Sequence, residues 1–146
     1  MEGWIRAQVE ERGLTNLFLA GRFPSEAMPY LLSRASALLV TLADQEILAA
    51  TVPNKIQAYM AVGRPIVASM NGEGARLVVE ANAGLAVPAE DSKALAAAIL
   101  ELRALPEETR ENLGNNARDY YRKHFDHEKL VSELIERLSA LIKVNR

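Results

Sequence analysis

"TVPNKIQAYMAVGRPIVAS", residues 51–69, is the stretch on which the fold turns. Ile56, Tyr59 and Met60 are spaced i, i+3 and i+4, so they share one face of a helix. Pro53 and Asn54 suit the start of that helix, and Gly63 suits the position just past its end. Arg64-Pro65 then turns the chain, and Ile66-Val67-Ala68 is a short apolar run between breakers, the pattern of a strand buried on both faces. Loop, helix, turn and buried strand make one unit of an α/β sheet. Lys55 sits awkwardly in it. The free amides and dipole at a helix start carry partial positive charge, so a lysine in the first turn costs a few tenths of a kcal/mol unless an anion lies there. A phosphate would resolve the conflict. Extension into solvent, or an ion pair with Asp44 or Glu46, would resolve it too, and this stretch alone favours that plainer reading.

The same unit repeats on either side. Residues 2–12 read as a helix with Trp4, Ile5 and Val9 apolar, and residues 16–20, "NLFLA", read as a strand ended by Gly21. Ser25 is expected to cap a helix through Arg34, with Met28, Leu31 and Leu32 inward and Pro29 in its first turn or at a kink. Residues 35–42, "ASALLVTL", give the next strand, and residues 43–52 a loop into the helix above. "NGEG", residues 71–74, is a glycine-rich loop before a helix over residues 75–82, and residues 84–87 are a fourth strand. Asp91 caps an amphipathic helix bearing Leu95, Ala98, Ile99 and Leu102. Helices over residues 106–123 and 127–143 follow, and the stripe Leu130, Leu134, Leu138 and Leu141 of the last is expected to close the domain's own core.

Strands separated by helices predict a Rossmann-like parallel sheet with helices on both faces, in a single domain over residues 1–146. Ligands of such sheets bind beyond the C-terminal ends of the strands. The loops at residues 21–25, 41–54 and 70–74 are therefore the candidates, and they carry Arg22, Asn54, Lys55 and Glu73.

Composition narrows the function. With 146 residues, 49% hydrophobic and 25% charged, the chain has the make-up of a globular domain. Its 17 Lys and Arg against 19 Asp and Glu leave a net charge of −2, without the basic excess that general nucleic-acid binding needs. There is no cysteine, which excludes disulfides, zinc–thiolate sites and thiol catalysis. No apolar run is long enough to span a bilayer, and residues 1–12 lack a signal-peptide pattern, so a cytoplasmic location is expected. His124 and His127 could share a helix face as metal ligands, but two histidines in the whole chain read more simply as surface or capping residues. Asp44 and Glu46 could pair as acid and base, or simply be solvated. No nucleophile elbow, P-loop or dinucleotide fingerprint is present.

Taken together, "RGLTNLFLAGRFPSEAMPYLLSRASALLVTL", "VPNKIQAYMAVGRPIVASMNGEGARLVVEANAGLAVPAEDSKALAAAI" and "ARDYYRKHFDHEKLV" resemble the C-terminal, donor-nucleotide half of a retaining glycosyltransferase of the GT-B fold, in family 4. The nearest branch is the bacterial surface-polysaccharide one, where the phrase V-P-S-K-I-Q is typical and Asn54 here replaces the serine. The resemblance implies a UDP-sugar donor as substrate, with no separate cofactor and no metal. It implies that Val52, Pro53, Asn54 and Lys55 hold the diphosphate, that Gly21, Arg22 and Phe23 meet the base, and that Gly72, Glu73 and Gly74 lie near the sugar or the diphosphate, with Tyr59 and Met60 packing. Catalytic residues stay unassigned. The family's paired glutamates would fall at positions 50 and 58, where this chain has Ala50 and Ala58, so ribose recognition must come from elsewhere. The resemblance also implies a missing N-terminal acceptor domain and two missing first strands, hence a fragment that binds donor without turning over. Residues 16–20 and 35–42 are then expected to pair directly, or copies to associate through exposed edges. A non-catalytic Rossmann-like binding or interaction module is the alternative; a receiver-type module would need an acidic cluster where only Asp44 stands.

Overall fold

The computed structural model describes residues 2–144 and builds them on three parallel strands, β1 (Leu38–Thr41), β2 (Ile66–Ser69) and β3 (Gly84–Val87), in that order across the sheet. Register runs Leu38, Ile66, Gly84 along one row and Thr41, Ser69, Val87 along the last. Helices α1 (Glu2–Glu11) and α2 (Met28–Ser33) precede β1. Between β1 and β2 come α3 (Glu46–Ala49) and α4 (Asn54–Val62), and α5 (Glu73–Glu80) links β2 to β3. Helices α6 (Ser92–Ala104), α7 (Glu107–His124) and α8 (His127–Val144) follow.

All four residues of β2 are buried, as its unbroken apolar run requires. One sheet face carries Val40, Ile66 and Ala68 against Ile56 and Met60 of α4, Leu77 and Val78 of α5 and Ala117 of α7. The other carries Val67 against Ala98 and Leu102 of α6 and Leu113 of α7. The sheet is thus Rossmann-like with helices on both faces. Gly63 ends α4 at φ 73, as expected of a left-handed C-terminal residue. Its carbonyl lies against Gly114, and a side chain there could not be fitted between α4 and α7. Asp91 caps α6, its carboxylate accepting from the Lys93 and Ala94 amides at 3.1 and 2.9 Å. Asp91→Ala should cost about 1 kcal/mol, read as a melting point a few degrees lower in a thermal scan.

Several expectations fail, each for a physical reason. Residues 16–20 are not a strand, and they do not pair with β1. Among the described residues no backbone hydrogen bond involves residues 15–23, and Phe18 is 82% exposed. Local pattern makes these residues strand-competent, but a strand forms only where a ladder partner meets it. The sheet therefore has three strands, and β1 keeps an open edge. Ser25 does not cap: Pro24 precedes a 3₁₀ turn over Ser25–Ala27, and Ser25 Oγ donates to the Glu26 carboxylate instead. Pro29 does fall in the first turn of α2. The loop after β1 contains the short helix α3. The α8 stripe does not close the core: Leu130, Leu134 and Leu138 are about half exposed.

Candidate functional site

In a parallel sheet the helix after each strand starts at the strands' C-terminal edge, so the N-termini of α4, α5 and α6 gather there. They are not equivalent. The start of α6 is filled by the Asp91 carboxylate. Neither α4 nor α5 has a side-chain cap: Pro53 and Gly72 occupy the capping positions. The first bonded amide of α4 is that of Ile56, to Pro53 O at 2.9 Å, so the amides of Asn54 and Lys55 have no acceptor among the described residues. Lys55 is exposed and forms no ion pair among them. The ion pair with Asp44 or Glu46 is therefore not formed.

Two glycines let the open helix starts approach one another. Gly72 has φ +80, a conformation open to glycine, and a methyl group on it would overlap the carbonyl of Ala49 at the end of α3. Gly74 is buried, and a methyl there would strike Met70 and come within 3.0 Å of Ile56 Cδ1 in the first turn of α4. Its part is close packing. Glu73 is exposed and committed to Arg76, 2.6 Å away. The hydrogen bond and charge of Arg76 hold its carboxyl below the usual carboxylate range. Val52 and Pro53 are half-buried beneath the exposed Asn54 and Lys55.

One residue that sequence reasoning did not single out ties this edge together. Asn71 Nδ2 donates to Asp44 Oδ1 at 2.8 Å, and its Oδ1 accepts from the Ala89 amide at 3.2 Å. The Asp44 amide in turn donates to Glu90 at 3.4 Å. Asn71 thus joins the loops after all three strands. Nothing in "NGEG" alone marks it, because its partners lie 27 and 18 residues away.

Gly21, Arg22 and Phe23 stand apart. All three are exposed, and no hydrogen bond joins them to Asn54, Lys55 or residues 72–74 among the described residues. Met60 is fully buried and Tyr59 half-buried, both packing as expected. His124 and His127 are exposed, and no group of three or more His, Asp or Glu among the described residues is placed to hold a metal. Two cavities of about 380 Å³ lie away from this edge. One is apolar, beside β1. The other, lined by Arg64, Arg110 and Arg118, is accounted for by helix ends: Arg118 donates to Val62 O at 2.9 Å and Arg110 to Leu105 O at 2.8 Å.

No helix among the described residues is long and apolar enough to cross a membrane. A comparison with curated protein sequences found no match. Among solved structures, the chain is similar to sucrose-phosphate synthase from Thermosynechococcus elongatus, at 24% identity and a TM-score of 0.74 over 96% of this chain and 34% of that one. It is also similar to HepE from Anabaena. The complex with UDP-glucose matches at 24% identity and the complex with UDP at 20%, each with a TM-score of 0.73 over 94% of this chain and 36% of that one. These likenesses show a shared fold, and the chain spans about a third of the length of those structures. The family described as glycosyl transferases group 1 matches residues 1–104, well over half of the sequence. With that match, and with the fold in agreement, the chain belongs to the glycosyl transferases group 1.

Proposed function

We propose that this chain is the donor-binding part of a glycosyltransferase, taking a UDP-sugar at the C-terminal edge of the sheet. The observation that carries the reading is the contrast between helix starts: α6 is closed by Asp91, whereas α4 and α5 offer uncapped amides beside the unpaired Lys55. Helix amides plus a lysine suit a diphosphate. HepE, which has the same fold, was crystallised with UDP-glucose and with UDP. In this reading Asn54, Lys55 and the amides around Val52 and Pro53 hold the phosphates, Gly72 and Glu73 meet the sugar, and residues 21–23 close over the base. The donor is the only small molecule required, without a further cofactor or metal.

The whole protein would transfer with retention in polysaccharide synthesis, in the cytoplasm at the inner face of the membrane. An acceptor-binding domain would face this edge, and electrostatic stabilisation of the leaving diphosphate would drive the transfer. The share assigned to residues 1–146 is donor binding without turnover. Titration calorimetry with UDP, GDP and ADP tests it: UDP should bind most tightly, and a UDP-sugar incubated separately with the chain should stay intact. Absence of heat with all three nucleotides would overturn the reading.

A further inference from the structure

We infer that Asn71 is a positioning residue for the donor: its side chain latches the loop after β1, residues 43–52, to the loops after β2 and β3, and so holds in place the segment that joins the uncapped starts of α5 and α4. The inference rests on the donor reading above and adds to it a residue that acts through the loop. The joining segment is bounded by two contacts. At one end the Ala49 carbonyl lies against Gly72, the residue in the capping position of α5. At the other end Pro53 occupies the capping position of α4, just before the free amides of Asn54 and Lys55. A diphosphate held by both helix starts would have residues 49–53 beside it.

The loop after β1 needs such a latch because little else fixes it. Residues 43–47, 50 and 51 are exposed, and only Val52 at its far end packs on the core. Its own backbone bonds are local: the Leu48 and Ala49 amides donate to Gln45 O, that of Ala50 to Glu46 O and that of Thr51 to Leu48 O. They shape α3 without fixing where it sits. The loop after β3 differs, because the Met70 amide donates to Val87 O at 3.1 Å and the buried Ser69 Oγ to Pro88 O at 3.2 Å. That loop is tied to the end of β2 before Asn71 is counted. Past the Leu42 amide's bond to Ser69 O, the loop after β1 is hydrogen-bonded to its neighbours, among the described residues, only through Asp44. Asp44 accepts from Asn71 at 2.8 Å, and its amide makes the longer bond to Glu90 at 3.4 Å.

The two partners of Asn71 call for an amide side chain. Asp44 presents a carboxylate, which needs a donor, and Ala89 an N–H, which needs an acceptor; asparagine offers one of each. An aspartate at position 71 would keep the Ala89 bond and set two carboxylates against each other. The bond to a carboxylate is charge-assisted, so its loss shifts an equilibrium by roughly ten-fold or more. Where a ligand needs the loop in place, its apparent affinity falls with the fraction of molecules that hold it there. Charge alone predicts the opposite for Asp44. Removing a carboxylate from an edge that takes a diphosphate should tighten binding.

Calorimetric titration of UDP into the parent and three variants tests the latch. Asp44→Ala should weaken binding about ten-fold, against the direction of its charge change. Asn71→Asp should weaken it further. The exchange of both, Asp44→Asn with Asn71→Asp, leaves the net charge of the parent and reverses the bond, with the new carboxylate accepting from the new amide and still from the Ala89 amide. It should recover most of the parent affinity. Thermal melts of the empty proteins separate positioning from folding: Asp44 is exposed, so Asp44→Ala should melt cooperatively near the parent, and it keeps the test readable if Asn71→Asp does not fold. A parent that binds no UDP would overturn the donor reading and the latch with it. A parent that binds UDP, with Asp44→Ala binding as tightly or an exchange variant no better than Asn71→Asp alone, would overturn the latch and leave the donor reading standing.

Discussion

Gly84→Ala should cost at least about 3 kcal/mol of folding stability, a large fraction of what a domain of this size has to spare. Gly84 opens β3 directly beside Ile66 of β2. A methyl group on it would overlap the Ile66 carbonyl oxygen, and the Ile66 carbonyl carbon and amide nitrogen lie just behind. These are backbone atoms in the middle strand of the sheet, so no side-chain rotation relieves the clash. Relief requires β3 to move away, which opens the ladder from the Ile66 amide's bond to Ala83 O onward. It would also uncover Ala83 and Val78, both fully buried. Overpacking against side chains typically costs 1–3 kcal/mol; overpacking against a central strand belongs at or above the top of that range. At roughly 2–4 °C per kcal/mol, the melting point should fall by about 10 °C. A urea titration of Gly84→Ala with an unchanged midpoint would mean that β3 does not lie against β2 in this register.

The sequence made parts of this sheet readable and left others hidden, and the division follows the range of the interactions. β2 was readable because burial on both faces leaves a four-residue apolar run that Pro65 and Asn71 delimit locally. α4 was readable because its apolar spacing and the left-handed Gly63 lie within ten residues of each other. Asp91 was readable as a cap because the amides that donate to it are two and three residues on. Residues 16–20 carry the same kind of local signal, yet whether they form a strand depends on an edge some twenty residues away, and no local pattern reports its distance. The leucines of α8 show a related gap: periodicity tells which face of a helix is apolar, not what covers it. At the candidate site, Lys55 stood out because it breaks a local rule about helix starts. Asn71 breaks none, and its bridging of three loops appears only once β1, β2 and β3 are side by side.

Lys55→Glu should have opposite effects on the empty protein and on its nucleotide complex, and that opposition separates a binding role from a folding one. In the empty protein Lys55 lies in the uncapped first turn of α4, exposed and without an ion pair. An acidic residue there interacts favourably with the helix dipole, so the substitution should stabilise the fold by a few tenths of a kcal/mol. With a diphosphate against the same amides, the substitution removes one attraction and adds one repulsion. For charges about 4–5 Å apart, each step amounts to roughly 1 kcal/mol when largely solvated and more in a partly dry site. UDP affinity should therefore fall by about 30- to 100-fold, and Lys55→Ala, which loses only the attraction, should fall by about 5- to 10-fold. Raising ionic strength should shrink both gaps, since the site is open to solvent. Thermal melts with and without UDP read both quantities in one experiment. A Lys55→Glu protein that melts higher than the parent when empty, and gains little from UDP, places the lysine on the phosphates. Equal gains from UDP in parent and variant would remove Lys55 from the site and leave its position at the helix start a matter of solvation alone.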